Sequence, residues 1–63
     1  TQAYDIYGKM NAYDRMAQIY LAQKNQPRAI AALKQGLALA KQLRYREDYF
    51  AKQIEQVSQS QPQ

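Results

Sequence analysis

Cysteine, histidine and tryptophan are all missing from these 63 residues, and each absence removes a class of explanation. Without cysteine there is no disulfide, and without cysteine or histidine there is no zinc site. A chain of this size buries only about 60% of its unfolded surface, so packing alone must hold it. The commonest general base and the best nucleophile at neutral pH are missing too, which argues against an enzyme. The five acids, Asp5, Asp14, Glu47, Asp48 and Glu55, read as solvated surface charges. A catalytic dyad needs burial to shift its pKa values, and nothing in the pattern buries them. No glycine-rich phosphate loop and no metal-ligand cluster occurs, so neither a cofactor nor a metal is expected.

Long apolar runs are also absent, and no stretch approaches transmembrane length. The net charge is +4 with a pI near 9.6, but the cations are scattered and Arg44-Tyr45-Arg46 is the one dense spot. A nucleic-acid arm would need a block of like charge. Lack of cysteine fits a reducing compartment, and no signal peptide is visible. Location therefore stays open, with the cytoplasm favoured. The first residue is Thr1 rather than methionine, which suggests an excised segment or a processed product.

Only two glycines and two prolines are present, and β-branched residues are sparse. Strands are disfavoured and an all-α fold is expected. Asn25-Gln26-Pro27 reads as a turn leading into a helix, because proline is welcome at a helix start. Upstream, Tyr13, Met16, Ala17 and Tyr20 recur at the spacing of one buried helical face. Downstream, Ala29, Leu33, Gly36, Leu37 and Ala40 do the same. A third helix follows, with Phe50, Ala51, Ile54 and Val57 apolar and Asp48, Lys52, Glu55, Gln56 and Gln59 polar. The helices predicted are 11–23, 27–43 and 45–57. Ala3 to Tyr7 form the end of an incoming helix that stops before Gly8, with Tyr4 and Tyr7 packed within it. Residues 58–63, rich in Gln and Ser with one Pro, read as a disordered tail.

The chain repeats itself. Shifted by 34 residues, Met16 falls on Phe50, Ala17 on Ala51 and Tyr20 on Ile54; shifted by 33, Ile6 falls on Leu39 and Met10 on Leu43. A helix-turn-helix unit recurring at this length is the signature of the tetratricopeptide repeat. The stretch resembles that family as Tyr13-x2-Met16-Ala17-x2-Tyr20, then eight residues, then Ala29-x3-Leu33-x2-Gly36. Lys24 replaces the glycine usual in the inter-helix turn, and Lys41 replaces the proline near the second helix's end. The resemblance covers one full repeat, about 10–43, the tail of a preceding one, and a following helix, 45–57, that caps the stack. The whole of 1–57 is then one antiparallel helical segment.

Gly36 sits mid-helix, where glycine costs about 1 kcal/mol relative to alanine. On the resemblance, Ala17, Ala29 and Gly36 are the small residues where two antiparallel helices cross closely, with Tyr20 and Leu33 filling beside them. The family's partners lie in a groove lined by the first helix of each repeat. That implies a protein-interaction module whose groove carries Asn11, Asp14, Arg15, Gln18 and Ala22, then Tyr45, Asp48, Tyr49 and Lys52. Exposed tyrosine is a favoured interface anchor, so Tyr45 and Tyr49 are either such anchors or packed against the previous helix. Some members clamp a terminal carboxylate with lysine and asparagine; here Asp14 occupies a cation's place and only Arg15 fits, so the clamp does not carry over.

Two alternatives stand beside the interaction module. One is a basic surface of Arg28, Lys34, Lys41, Arg44 and Arg46 for nucleic acid or membrane; the helical spacing of the first three is that of ordinary solvated charges. The other is a purely structural cap ending a longer array. The expected partner is a protein or peptide, with self-association or packing on the rest of a longer chain also open.

Overall fold

The computed structural model describes residues 2–59 and is all-helical, with α1 at Gln2–Ala22, α2 at Gln26–Leu43 and α3 at Glu47–Gln59. Ser58 and Gln59, expected in the tail, are the last residues of α3. The rest of that expected tail, 60–63, lies outside the described residues.

Three features of the sequence produce the two turns. Asn25 caps α2, its side chain accepting from the Arg28 N–H at 3.5 Å, with Pro27 in the first turn. A proline there removes an N–H that has no intrahelical partner anyway. Both α1 and α2 end on a left-handed residue, Lys24 with φ 61° and Arg44 with φ 52°. At each end two backbone bonds close the helix: Lys24 N–H to the Leu21 carbonyl and Asn25 N–H to that of Tyr20, then Arg44 N–H to Lys41 and Tyr45 N–H to Ala40. This pairing is the Schellman arrangement, in which glycine usually takes the left-handed position.

The predicted break at Gly8 does not occur. Residues 2–22 form one helix, so Ala3 to Tyr7 lead into the first repeat helix without an intervening turn. An isolated helical glycine costs about 1 kcal/mol, too little to end a helix whose neighbours on both sides pack. Tyr4 is 78% exposed instead of packed.

Helix α2 packs between the other two, and α1 and α3 do not approach each other at the backbone. Met10, Ala17, Ala32, Leu33, Ala40, Phe50 and Val57 form the core, with no polar or charged residue buried among them. Phe50, Met10 and Leu33 are its largest fully buried side chains.

Of the seven residues expected at the helix crossing, Ala17, Ala29, Leu33 and Gly36 are buried and Tyr13 and Tyr20 half-buried. Met16 is not: it is 39% exposed, on the side of α1 turned away from α3. There it borders a shallow groove of about 210 Å³ with Tyr13, Tyr20, Arg28, Ala31, Ala32 and Gln35. Ala51 is exposed as well, because one helical step of 100° carries it off the face that Phe50 buries. The close approach to Gly36 comes from α3 rather than α1. A Cβ added to Gly36 would lie 2.5 Å from Phe50 Cε1 and 3.0 Å from its Cζ. The missing side chain makes room for an aromatic ring.

Candidate functional site: the face between α1 and α3

Among the described residues, two side-chain bridges link α1 to α3 and to the turn just before it. The Tyr49 hydroxyl donates to Asp14 Oδ1 at 2.8 Å, and Arg46 Nη1 donates to Asn11 Oδ1 at 3.4 Å. Each bridge joins residues 35 apart in sequence, so the two helices run in the same direction in a fixed register. Arg46 also lies over the Tyr49 ring, 4.4 Å from its centroid. A cation on a ring face is attracted by the ring's quadrupole. Tyr49 is further fixed by an edge-on contact with Phe50, centroids 5.2 Å apart. The Gly36–Phe50 packing thus sets where Tyr49 stands, and Tyr49 in turn sets the spacing of the groove.

The environment of Tyr49 holds its hydroxyl protonated. Burial raises its pKa above the ordinary 10.0, and the hydrogen bond to Asp14 and that carboxylate's charge add to the rise, while Arg46 opposes it. Ionising it would break that donated bond and set a phenolate beside a carboxylate, so this phenol keeps its proton more tightly than one in water.

The structure brings four of the sequence-predicted groove residues to this face with defined roles or positions. Asn11 and Asp14 are half-buried acceptors, Tyr49 is half-buried as a donor, and Tyr45 is 48% exposed at the groove's upper end. Gln18, Arg15, Asp48, Lys52 and Ala22 are exposed. Among these, Gln18 follows Asp14 by one helical turn and Lys52 follows Tyr49 by three residues, spacings that keep them near the same face. The sequence presents Arg46 as a surface cation, and the structure gives it a bridging role to Asn11 as well. Tyr7 likewise gains a contact: its ring lies 5.8 Å from that of Tyr45. The signal that could have found Arg46 is the repeat offset applied to polar as well as apolar pairs, since Asn11 and Arg46 stand 35 apart; Tyr7 and Tyr45, 38 apart, fall outside it.

The five cations of the basic-surface alternative do not share one side of the molecule. Arg28 borders the groove between α1 and α2, whereas Arg46 is tied into the α1–α3 face. Among the described residues, no group of three or more His, Cys, Asp or Glu is placed to hold a metal ion, and no helix is long and apolar enough to cross a membrane. Compared with family models, with curated proteins and with solved structures, the chain matches none of them.

Proposed function

We propose that this chain is a protein-interaction module of the helical-repeat type, resembling a tetratricopeptide segment, and that a partner peptide or helix lies along the face between α1 and α3. One observation carries the reading: two parallel helices whose backbones stay apart are spanned by side chains at a constant 35-residue offset. Such a face is a shallow channel with polar and aromatic groups on its floor. Asn11, Asp14, Arg46 and Tyr49 build the floor by bonding to one another, and Gln18, Lys52 and Arg15, with the donors Arg46 has spare, meet the partner. Mixed charge suits a polar peptide better than a phosphate backbone, which favours cations throughout.

The capping role is compatible with this one. Glu47, Asp48, Ala51, Lys52, Glu55 and Gln56 on α3 are all exposed, and a polar outer face is what terminates a helical stack.

The test is chemical-shift mapping with peptides selected from a display library on the intact chain. Shifts are expected at Asn11, Gln18 and Lys52, and Lys52→Glu should weaken binding while Arg28→Glu and Lys34→Glu do not. If the second pair abolishes binding and Lys52→Glu leaves it intact, the basic-surface reading replaces this one.

A further inference from the structure

At its upper end the α1–α3 face opens into an apolar groove that the core does not require. Ala3, Tyr4 and Tyr7 of α1 stand opposite Leu43 and Tyr45, and together they wall a volume of about 410 Å³. Tyr4 has no part in the core cluster and is largely in solvent. Tyr7 and Tyr45 are in ring contact with centroids 5.8 Å apart, and tyrosines offer wide contact area at little entropic cost.

The turn between α2 and α3 gives this groove a cationic side; on α1 the carboxylate of Asp5, next to Tyr4, borders a neighbouring groove together with Lys9. From Lys41 to Arg46 the chain carries three cations and no carboxylate. Arg44 stands between two lining residues and is exposed, fixed in its left-handed position as the end of α2. Arg46 spends one of its five N–H donors on Asn11. Glu47 and Asp48 come next, but with Tyr49 turned toward α1, helical rotation places Glu47 about 160° round from it. That points Glu47 away from the groove, while Asp48, one step of about 100° from Tyr49, stays on its flank.

We infer that this tyrosine groove seats the apolar anchor residue of an acidic peptide, with Arg44 and Arg46 meeting carboxylates on either side of the anchor. The inference rests on the peptide-binding reading above and names its partner's chemistry. Aromatic walls desolvate the anchor, and the cations select its flanks. A nucleic-acid strand carries a phosphate at every residue and would run them onto Asp14, whereas a peptide can confine its acids to the flanks of the anchor, which is why a peptide is favoured.

The experiment is fluorescence anisotropy on the intact chain with pools of labelled dodecapeptides. One pool has a central phenylalanine with flanks randomised among aspartate, glutamate and serine; a second has lysine in place of the acids; a third has alanine in place of the phenylalanine. A labelled oligothymidine of similar length is the fourth probe. The acidic phenylalanine pool is expected to bind at least tenfold tighter than each of the others, and Tyr4→Ala and Arg44→Asn are each expected to weaken it at least fivefold. Both variants should keep the fold, since Tyr4 is mostly in solvent and asparagine tolerates the left-handed region. Equal binding of the lysine pool, preference for the oligonucleotide, or indifference to Tyr4→Ala overturns the inference. If the acidic pool fails while display-selected peptides still bind in a Lys52-dependent way, the anchor is wrong and the module stands. If neither binds, both fall.

Discussion

Gly8 and Gly36 are chemically identical and sit in helices, yet their surroundings give opposite expectations for the same substitution. Nothing lies within 4 Å of a Cβ placed on Gly8, so Gly8→Ala gains helix propensity without a clash and should stabilise by about 1 kcal/mol. At Gly36 the same gain is set against overlap with three ring atoms of Phe50. Because Phe50 is fully buried, its ring cannot swing into solvent to make room. Overpacking of this kind costs about 1–3 kcal/mol, so Gly36→Ala should lower the urea midpoint while Gly8→Ala raises it. Adding Phe50→Leu, which is itself costly, should turn the effect of Gly36→Ala from loss toward gain. A double-mutant cycle reads that coupling directly; additivity would mean that the ring is not what fills the space.

At the scale of elements, the two helix ends explain both what the sequence made legible and what it hid. Asn25 and Pro27 announce the start of α2 in any reading, because capping and proline chemistry are local. The helix ends are harder, since glycine is the usual marker and here Lys24 and Arg44 take its place at φ 61° and 52°. A side chain in that region costs about 1–2 kcal/mol, partly offset by the greater freedom glycine brings to the unfolded chain. Lys24→Gly should therefore stabilise by about 0.5–1 kcal/mol in denaturant melts, and Arg44→Gly by a similar amount. Arg46, also left-handed at φ 65°, should respond differently, because Arg46→Gly forfeits the Asn11 bond and the contact with Tyr49. If all three gain equally, those side-chain contacts contribute little. The same locality explains the start of α1: a lone Gly8 looks like a stop in sequence, and only the packing of Ile6 before it and Met10 after it shows that the helix runs through it. Periodicity placed Tyr13, Ala17, Leu33 and Phe50 well, but could not tell which flank of α1 lies against α2 and which is left open. The spacing therefore enlists Met16 and Tyr4 as packed although both are exposed, and it carries no sign of the polar bridge from Asp14 to Tyr49.

For the molecule as a whole, the relation of α1 to α3 depends on α2 between them and on side chains reaching across. The Tyr49 hydroxyl is the part of that connection which can be switched off by pH. Its pKa stands above 10.0 in the folded chain, first through burial and then through Asp14. Below pH 10 the phenol is protonated in folded and unfolded chains alike, and its contribution to stability is constant. As pH rises past 10.0 the unfolded chain releases this proton first, so the unfolded state binds fewer protons and folding stability falls until the folded phenol ionises too. Replacing the hydroxyl removes both the bond and the titration. At pH 8, Tyr49→Phe should lower stability by about 1 kcal/mol, the net worth of one hydrogen bond. Between pH 9 and 11 the wild-type chain should lose more stability than the variant, so that the two curves converge. The other titrating groups are common to both proteins and cancel in the difference. Asp14→Asn keeps an acceptor but removes the negative charge, and should flatten the wild-type slope part of the way. Urea midpoints across that range decide the matter: parallel curves would show that the hydroxyl does not tie α1 to α3 in solution, and the register of the groove would then rest on α2 alone.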